Sequence, residues 1–314
     1  MKILIANDGS ECSDAAIVDL RRAGLPAVAE ALVLSVAQIS PQVEMVPTGA
    51  EMAGSGMIFP QQWESKELID HQLKQAQSFA AEAAGRLRLD FPGWHINTES
   101  WADAAWPAIV RQAHAWNPDL IVVGSHGRSG LNRLVIGSVS ERVLHHVKCS
   151  VRISRHHLHS PERAIRVLVG VDGSDNARTA VQAVAARNWP PGTEARAVGV
   201  LDARIPIAAA TTLEGCIPSA MEDEYRRRMS EAVHEAAEVL TESGLVASHQ
   251  VLSGEPGKVL LEEAEKWAAD SVFVGARGLN ILERFLLGSV STAVASHARC
   301  SVEVVRLIDR QITL

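Results

Sequence analysis

Residues 120–147 read LIVVGSHGRSGLNRLVIGSVSERVLHHV, and this stretch decides the fold. It recurs at residues 271–297 as SVFVGARGLNILERFLLGSVSTAVASH. Gly124, Gly127, Gly137 and Ser138 match Gly275, Gly278, Gly288 and Ser289, each at an offset of 151 residues. Both copies spell Gly-x2-Gly-x9-Gly-Ser after a short apolar run and before a helical pattern. A buried strand, a glycine loop and a helix start together form an anion site. Glycine lets backbone N–H groups approach a phosphate, and the helix N-terminus adds positive potential.

The repeat implies two domains in 314 residues, which agrees with a prior of roughly 150 residues per domain. Working outward, residues 2–6 and 166–171 are apolar runs that read as buried parallel strands. Each ends in Asp-Gly-Ser, at Asp8 and at Asp172. A carboxylate there faces the crevice in which open α/β sheets bind ligands, or else it caps the following helix. Helices are predicted at 13–23 and 175–187, and second strands at 31–36 and 195–200. Two irregular segments follow, 38–62 and 202–220, read either as lids over the crevice or as disordered chain.

Each half then carries a long amphipathic helix. Ile69, Leu73, Ala76, Ala80, Ala83 and Leu87 form one stripe, and Tyr225, Met229, Ala232, Ala236 and Val239 the other. Arg226, Arg227 and Arg228 read as a solvated face. Third strands fit 95–100 and 248–252, helices 106–116 and 258–267, fourth strands 120–123 and 271–274, and last strands 151–154 and 302–306. Trp116 and Trp267 fall at equivalent places and are assigned to the core. The alternation β-α-β-α-β-α-β-α-β, taken twice with right-handed crossovers, gives two doubly wound five-stranded parallel sheets of α/β class. The domains are expected at 1–155 and 164–314.

Composition narrows the function. The net charge of −7 gives no bulk attraction to nucleic acid. No apolar run approaches the roughly 18 residues of a membrane span, and the N-terminus lacks a signal peptide's apolar region, so a cytoplasmic location is expected. Cys12, Cys149, Cys216 and Cys300 contain no CxxC pair, and Cys149 and Cys300 read as buried small hydrophobes. The linker histidines His156, His157 and His159 have no acidic or Cys ligands beside them at ordered helical spacing and read as solvated chain.

The glycine loop is not a Walker P-loop, since no Lys precedes its last Ser, and it lies after the fourth strand, where a dinucleotide fingerprint does not belong. Ser138-Val139-Ser140-Glu141 fits a capping box, with Ser138 as the cap. Ser289-Val290-Ser291-Thr292 lacks the Glu. Arg133 and Arg284, four residues before Gly137 and Gly288, either reach a terminal phosphate or lie on the surface. His126 is able to position a water, but the second copy has Arg277 in its place.

These residues together resemble the universal stress protein family (UspA-like), in its tandem form. The matching stretches are Asp8-Gly9-Ser10, Gly124-Ser125-His126-Gly127 and Gly137-Ser138-Val139-Ser140, with their counterparts in the second half. The resemblance implies an adenine nucleotide α-hydrolase-like fold, two halves related by a pseudo-two-fold axis, and ATP as ligand, with or without Mg. By the same resemblance, Asp8 and Asp172 lie by the adenosine, and Val36 and Val200 frame the adenine. Val123 with Gly124, and Val274 with Gly275, line the ribose and phosphate path. Gly127, Gly137, Ser138, Val139 and Ser140, and Gly278, Gly288, Ser289, Val290 and Ser291, hold the phosphates. The last strands of the two halves are expected to pair within the chain, and a further homodimer stays open. Ser150 and Ser301 depart from the family pattern, which often has Pro there. The implied role is regulation in stress rather than fast catalysis. The alternatives are a weak ATPase or a scaffold that binds no nucleotide. An ATP-pyrophosphate-cleaving ligase is disfavoured, because the place of its Ser-Gly-Gly-x-Asp-Ser loop holds Asp8-Gly9-Ser10-Glu11.

Overall fold

The computed structural model describes residues 1–38, 66–127, 136–156, 163–202, 219–278 and 287–307. The first half runs β1 (Lys2–Ala6), α1 (Glu11–Leu20), β2 (Ala29–Gln38), α2 (Lys66–Asp90), β3 (Trp94–Asp103), α3 (Ala105–Trp116), β4 (Leu120–Gly124), α4 (Ser138–His146) and β5 (Ser150–Ser154). The second runs β6 (Arg166–Val171), α5 (Asp175–Ala185), β7 (Glu194–Leu201), α6 (Ser219–Glu242), β8 (Val246–Ser253), α7 (Pro256–Lys266), β9 (Ser271–Gly275), α8 (Ser289–His297) and β10 (Ser301–Val305). The irregular segments assigned as lids fall almost wholly outside the described residues, as do Arg133, Arg284, His157 and His159.

The strands form one ten-stranded sheet in the order β3-β2-β1-β4-β5-β10-β9-β6-β7-β8. Within each half every pairing is parallel. The halves meet at β5 and β10, which pair antiparallel with Arg152 opposite Glu303. This is the expected pairing of the last strands, and it covers two edges that would otherwise be open. In β1 and β4 the Ile, Leu and Val side chains are buried on both faces, as a central parallel strand requires.

Helices α3, α4, α7 and α8 cover one face of the sheet, where a single apolar core extends from Leu32 through Ile121 and Val151 to Val302 and Leu168. On the other face the core is split in two, under α1 and α2 in one half and under α5 and α6 in the other. The division follows from strand alternation. Val151, Ile153, Val302 and Val304 join the shared core, so Arg152 and Glu303 between them project to the opposite face.

There Arg152 donates to both carboxylate oxygens of Asp19, at 2.7 and 2.9 Å, and to Ser271 Oγ at 3.0 Å. Its Nη1 lies 3.6 Å from Glu303, which also pairs with Arg187. Burial works against the charge of Arg152, and its contacts with Asp19 and Glu303 outweigh that cost, so its pKa is raised. Ser301, one of the two departures from the family pattern, donates to Asp19 at 2.8 Å and accepts from the Arg155 N–H. Ser150, the other, accepts from the Arg306 N–H at 3.2 Å.

Three sequence expectations need correction. The stripe on α6 ends at Leu240, which is fully buried, whereas Val239 is exposed. The second and third strands are longer than predicted at both ends, because parallel pairing continues through Gln38↔Asp103 and Leu201↔Ser253. The capping box is absent. Gly137 is the N-cap of α4 and makes no side-chain cap bond, which leaves Ser138 as the first helical residue. Other readings hold. Arg226, Arg227 and Arg228 are exposed and pair with glutamates of their own helix. Trp267 is buried, and Trp116 packs against the same core. Burial pushes the Cys149 and Cys300 thiols up to about 12.

Candidate functional site

The crevice opens where β1 and β4 lie side by side and the chain leaves them in opposite directions, the point at which doubly wound sheets take ligands. At the end of β1, Asp8 does not cap the helix. Ser10 is the N-cap of α1, its Oγ accepting from Ser13 N–H at 3.2 Å. Asp8 stands two residues earlier, where Oδ1 accepts from the Ser10 N–H at 3.0 Å. Gly9 makes the turn at φ +72, a left-handed conformation suited to glycine. Asp172, Gly173 and Ser174 repeat this arrangement, with the same 3.0 Å bond and φ +80.

The other oxygen of each carboxylate points at the glycine loop. A Cβ on Gly127 would stand 3.0 Å from Asp8 Oδ2, and one on Gly278 would stand 2.5 Å from Asp172 Oδ2. At Gly124 and Gly275 the need for glycine is structural, because a Cβ would strike the backbone of Cys12 at 2.9 Å or of Asn176 at 2.6 Å. The loop is closed by Gly137 N–H donating to Ser125 O at 2.7 Å, and by Gly288 N–H donating to Ala276 O at 2.8 Å.

Ser140 and Ser291, expected among the phosphate contacts, are buried. Each donates its hydroxyl proton to the last carbonyl of the fourth strand, Gly124 O or Gly275 O, at 2.6 Å. They fix the helix start against the strand. The first helical bonds of α4 and α8 are Glu141 N–H to Gly137 O and Thr292 N–H to Gly288 O. The N–H groups of Ser138, Val139 and Ser140 precede the helical ladder, as do those of Ser289, Val290 and Ser291. Such groups, with the helix dipole behind them, attract anions.

In the first half these parts surround a cleft of about 470 Å³. That lies within the roughly 300–1,000 Å³ of small-molecule sites. Asp8, Val36, Val123, Gly124, Gly127, Gly137, Ser138, Val139 and Ser140 all line it. So do Asn7, Gln72 and Gln75, which the sequence reading missed, and His126, which it weighed only for positioning a water. Gln72 lies one turn before Ala76 of the predicted stripe, and that spacing was the available signal. Gln72 Oε1 and His126 Nε2 are both buried with no hydrogen-bond partner among the described residues. A smaller hollow of about 220 Å³ lies by His297, at the opposite end of α8 from its glycine, and contains none of the predicted residues.

The second crevice has the same backbone and larger side chains. The buried residues Ala76, Ala80, Ala83, Ala84 and Leu87 of α2 correspond to Met229, Val233, Ala236, Ala237 and Leu240 of α6. Met229 therefore replaces Ala76, and Tyr225 replaces Gln72. Met229 Sδ would be 2.6 Å from a Cβ on Gly199. Burial, with the charges of Asp202 and Asp172, raises the pKa of the Tyr225 hydroxyl. Val200 and Val274 are buried, whereas Val36 is partly exposed to the first cleft.

A profile of the universal stress protein family matches residues 1–155 and again 165–306. A universal stress protein of Mycolicibacterium smegmatis is 28% identical over 311 residues, covering 97% of this chain and 96% of its own length. Another, from Mycobacterium bovis, is 27% identical over 263 residues, covering 80% and 81%. The crystal structure of a universal stress protein from Archaeoglobus fulgidus, at 22% identity, covers 97% of this chain and 98% of its own with a TM-score of 0.64, and has the same fold. Matched twice along its length, on halves that repeat one glycine loop, this chain belongs to the universal stress protein family.

Proposed function

We propose that the protein binds ATP in the first-half cleft and acts as a nucleotide-responsive regulator in the cytoplasm, with the domains at 1–155 and 164–314. One observation carries this reading: a single cleft joins a carboxylate, Asp8, to three helix-start N–H groups and to two buried polar atoms without partners. The adenosine lies between Asp8 and Val36, and the phosphates run along Gly127 and Gly137 to Ser138 and Val139. Arg133 would extend this path. Among the described residues no group of three His, Cys, Asp or Glu side chains is placed to hold a metal. Mg would therefore come in with the triphosphate, held mainly by phosphate and water. In the second half the equivalent path would run along Asp172, Val200, Val274, Gly275, Gly278, Gly288, Ser289, Val290 and Ser291, with Tyr225 and Met229 in place of Gln72 and Ala76; Arg284 lies outside the described residues.

Ser138→Pro and Ser289→Pro test the reading. Proline is well suited to the first helical position, where its missing N–H leaves no helical bond unmade. Calorimetric titration of the full chain should show ATP binding that Ser138→Pro weakens at unchanged melting temperature. Loss of a further site with Ser289→Pro would count the second half as occupied. Absence of binding by the unaltered protein at millimolar ATP would overturn the proposal and leave the scaffold reading.

A further inference from the structure

The two unpartnered atoms of the first cleft are an amide oxygen, Gln72 Oε1, and an imidazole nitrogen, His126 Nε2, which accepts when Nδ1 carries the ring proton. His126 Nδ1 is 3.2 Å from Ser125 Oγ, whose own proton is directed at Cys12 Sγ, 4.0 Å away. Where Ser125 Oγ accepts from Nδ1, Nε2 is left as the acceptor of the same ring. Gln72 Oε1 is an amide carbonyl. An ionised phosphate carries only acceptors and gains nothing from either atom, whereas the N–H groups at the start of α4 suit it. A ligand that satisfies the whole cleft brings hydrogen-bond donors at its other end. A nucleoside has them, as exocyclic amine and ribose hydroxyls.

We infer that Gln72 and His126 read the nucleoside of the bound nucleotide, each accepting from one of its N–H or O–H donors, and that this selectivity belongs to the first half alone. The inference rests on the nucleotide reading above. The counterparts support the restriction. Tyr225 stands for Gln72 and Arg277 for His126: a guanidinium only donates, and a phenol replaces the amide with a single hydroxyl. Cys12 and Ser125, which orient the imidazole, are replaced by Asn176 and Ala276. The second crevice thus lacks the amide and imidazole acceptors and the serine beside the imidazole.

The test is a titration of the full chain and of Gln72→Leu and His126→Phe with ATP, inosine triphosphate and 2′-deoxy-ATP. One analogue lacks the amine and the other a ribose hydroxyl. A lost hydrogen bond to a buried acceptor should weaken binding to the unaltered protein about 3- to 10-fold for the analogue concerned. Each substitution should remove the discrimination against one analogue while the ratio for the other stays. A fold defect would lower affinity for all three ligands together and would leave the ratios untouched. Equal affinity of the unaltered protein for all three, or ratios unchanged in both variants, overturns this inference while ATP binding stands. If the unaltered protein binds none of them, the nucleotide reading falls, and this inference with it.

Discussion

The two halves agree where the backbone does the work and diverge where side chains do. In both, Asp-Gly-Ser turns through a left-handed glycine, a serine ties the helix start to the fourth strand at 2.6 Å, and the loop closes through one short backbone bond. The differences concentrate in the crevice and at the seam. Ala76 and Gln72 correspond to Met229 and Tyr225 in the other half, and Arg152 lies opposite its own counterpart, Glu303. Duplication preserved the geometry that glycine and serine enforce, and it left free the positions that decide what fills the crevice and which half pairs with which. Arg155 and Arg306 show the symmetric case. Each reaches into the other half to donate to the last turn of a helix, at Ala295 O (2.7 Å) or Leu144 O (2.5 Å), where a cation is favoured.

The seam should be the most sensitive point. Glu303→Gln would leave Arg152 and Arg187 buried with Asp19 as the remaining carboxylate of the cluster. Breaking a buried pair by removing one partner costs about 3–5 kcal/mol. Urea unfolding of the full chain should show a loss of that size. A loss below about 1 kcal/mol would mean that the asymmetric pair contributes little to joining the halves. Arg155→Ala and Arg306→Ala should each cost less, about 1–3 kcal/mol from carbonyls left buried and unpaired. The two should cost nearly the same, because their surroundings match.

The second crevice can be made to resemble the first. Met229→Ala removes a fully packed side chain next to Gly199, at an expected cost of about 2–5 kcal/mol. It also opens space where the first half has its cleft. Combined with Tyr225→Gln, it should raise the affinity of the second half for ATP. A protein whose binding stoichiometry and affinity do not change would show that the backbone of the second half, rather than its filling, limits occupation.

Much of this fold was legible because it is written in local signals. Apolar runs such as LIVV, the Asp-Gly-Ser turns and the repeated glycine spacing each report a backbone requirement, and the constant offset of 151 exposed the duplication. The seam was not legible. Arg152 lies between Val151 and Ile153, and Glu303 between Val302 and Val304. A lone charge in an apolar strand does not reveal that its partner is another lone charge on a strand about half the chain away. Ser150 and Ser301 were visible as departures from the family pattern, but their use in holding Arg306 and Arg155 depends on the antiparallel pairing. The capping box misled for a local reason. Ser-x-x-Glu is satisfied as a pattern, yet Gly137 already holds the extended cap conformation, so the serine falls one place inside the helix. Gln72 escaped notice because a single polar residue beside an apolar stripe has many more solvated instances than buried ones.

The smallest predicted effect separates the two carboxylates. Gly127 and Gly278 lie outside the left-handed region of backbone conformation, so alanine there is limited by space alone. The obstacle is the end of an aspartate side chain, at 3.0 Å in the first half and 2.5 Å in the second. A carboxylate tip can swing aside by a few tenths of an ångström, so each substitution should change stability by less than about 1 kcal/mol. The tighter contact makes Gly278→Ala the costlier of the two. The functional consequence should run the other way. Displacing Asp8 disturbs the lining of the first cleft, whereas Asp172 lies in the half where Tyr225 and Met229 replace Gln72 and Ala76. Gly127→Ala should therefore weaken ATP binding severalfold at nearly native melting temperature, and Gly278→Ala should leave the principal binding isotherm where it was. Equal losses from the two would mean that both carboxylates serve bound nucleotide, and that the difference between the crevices is one of shape rather than use.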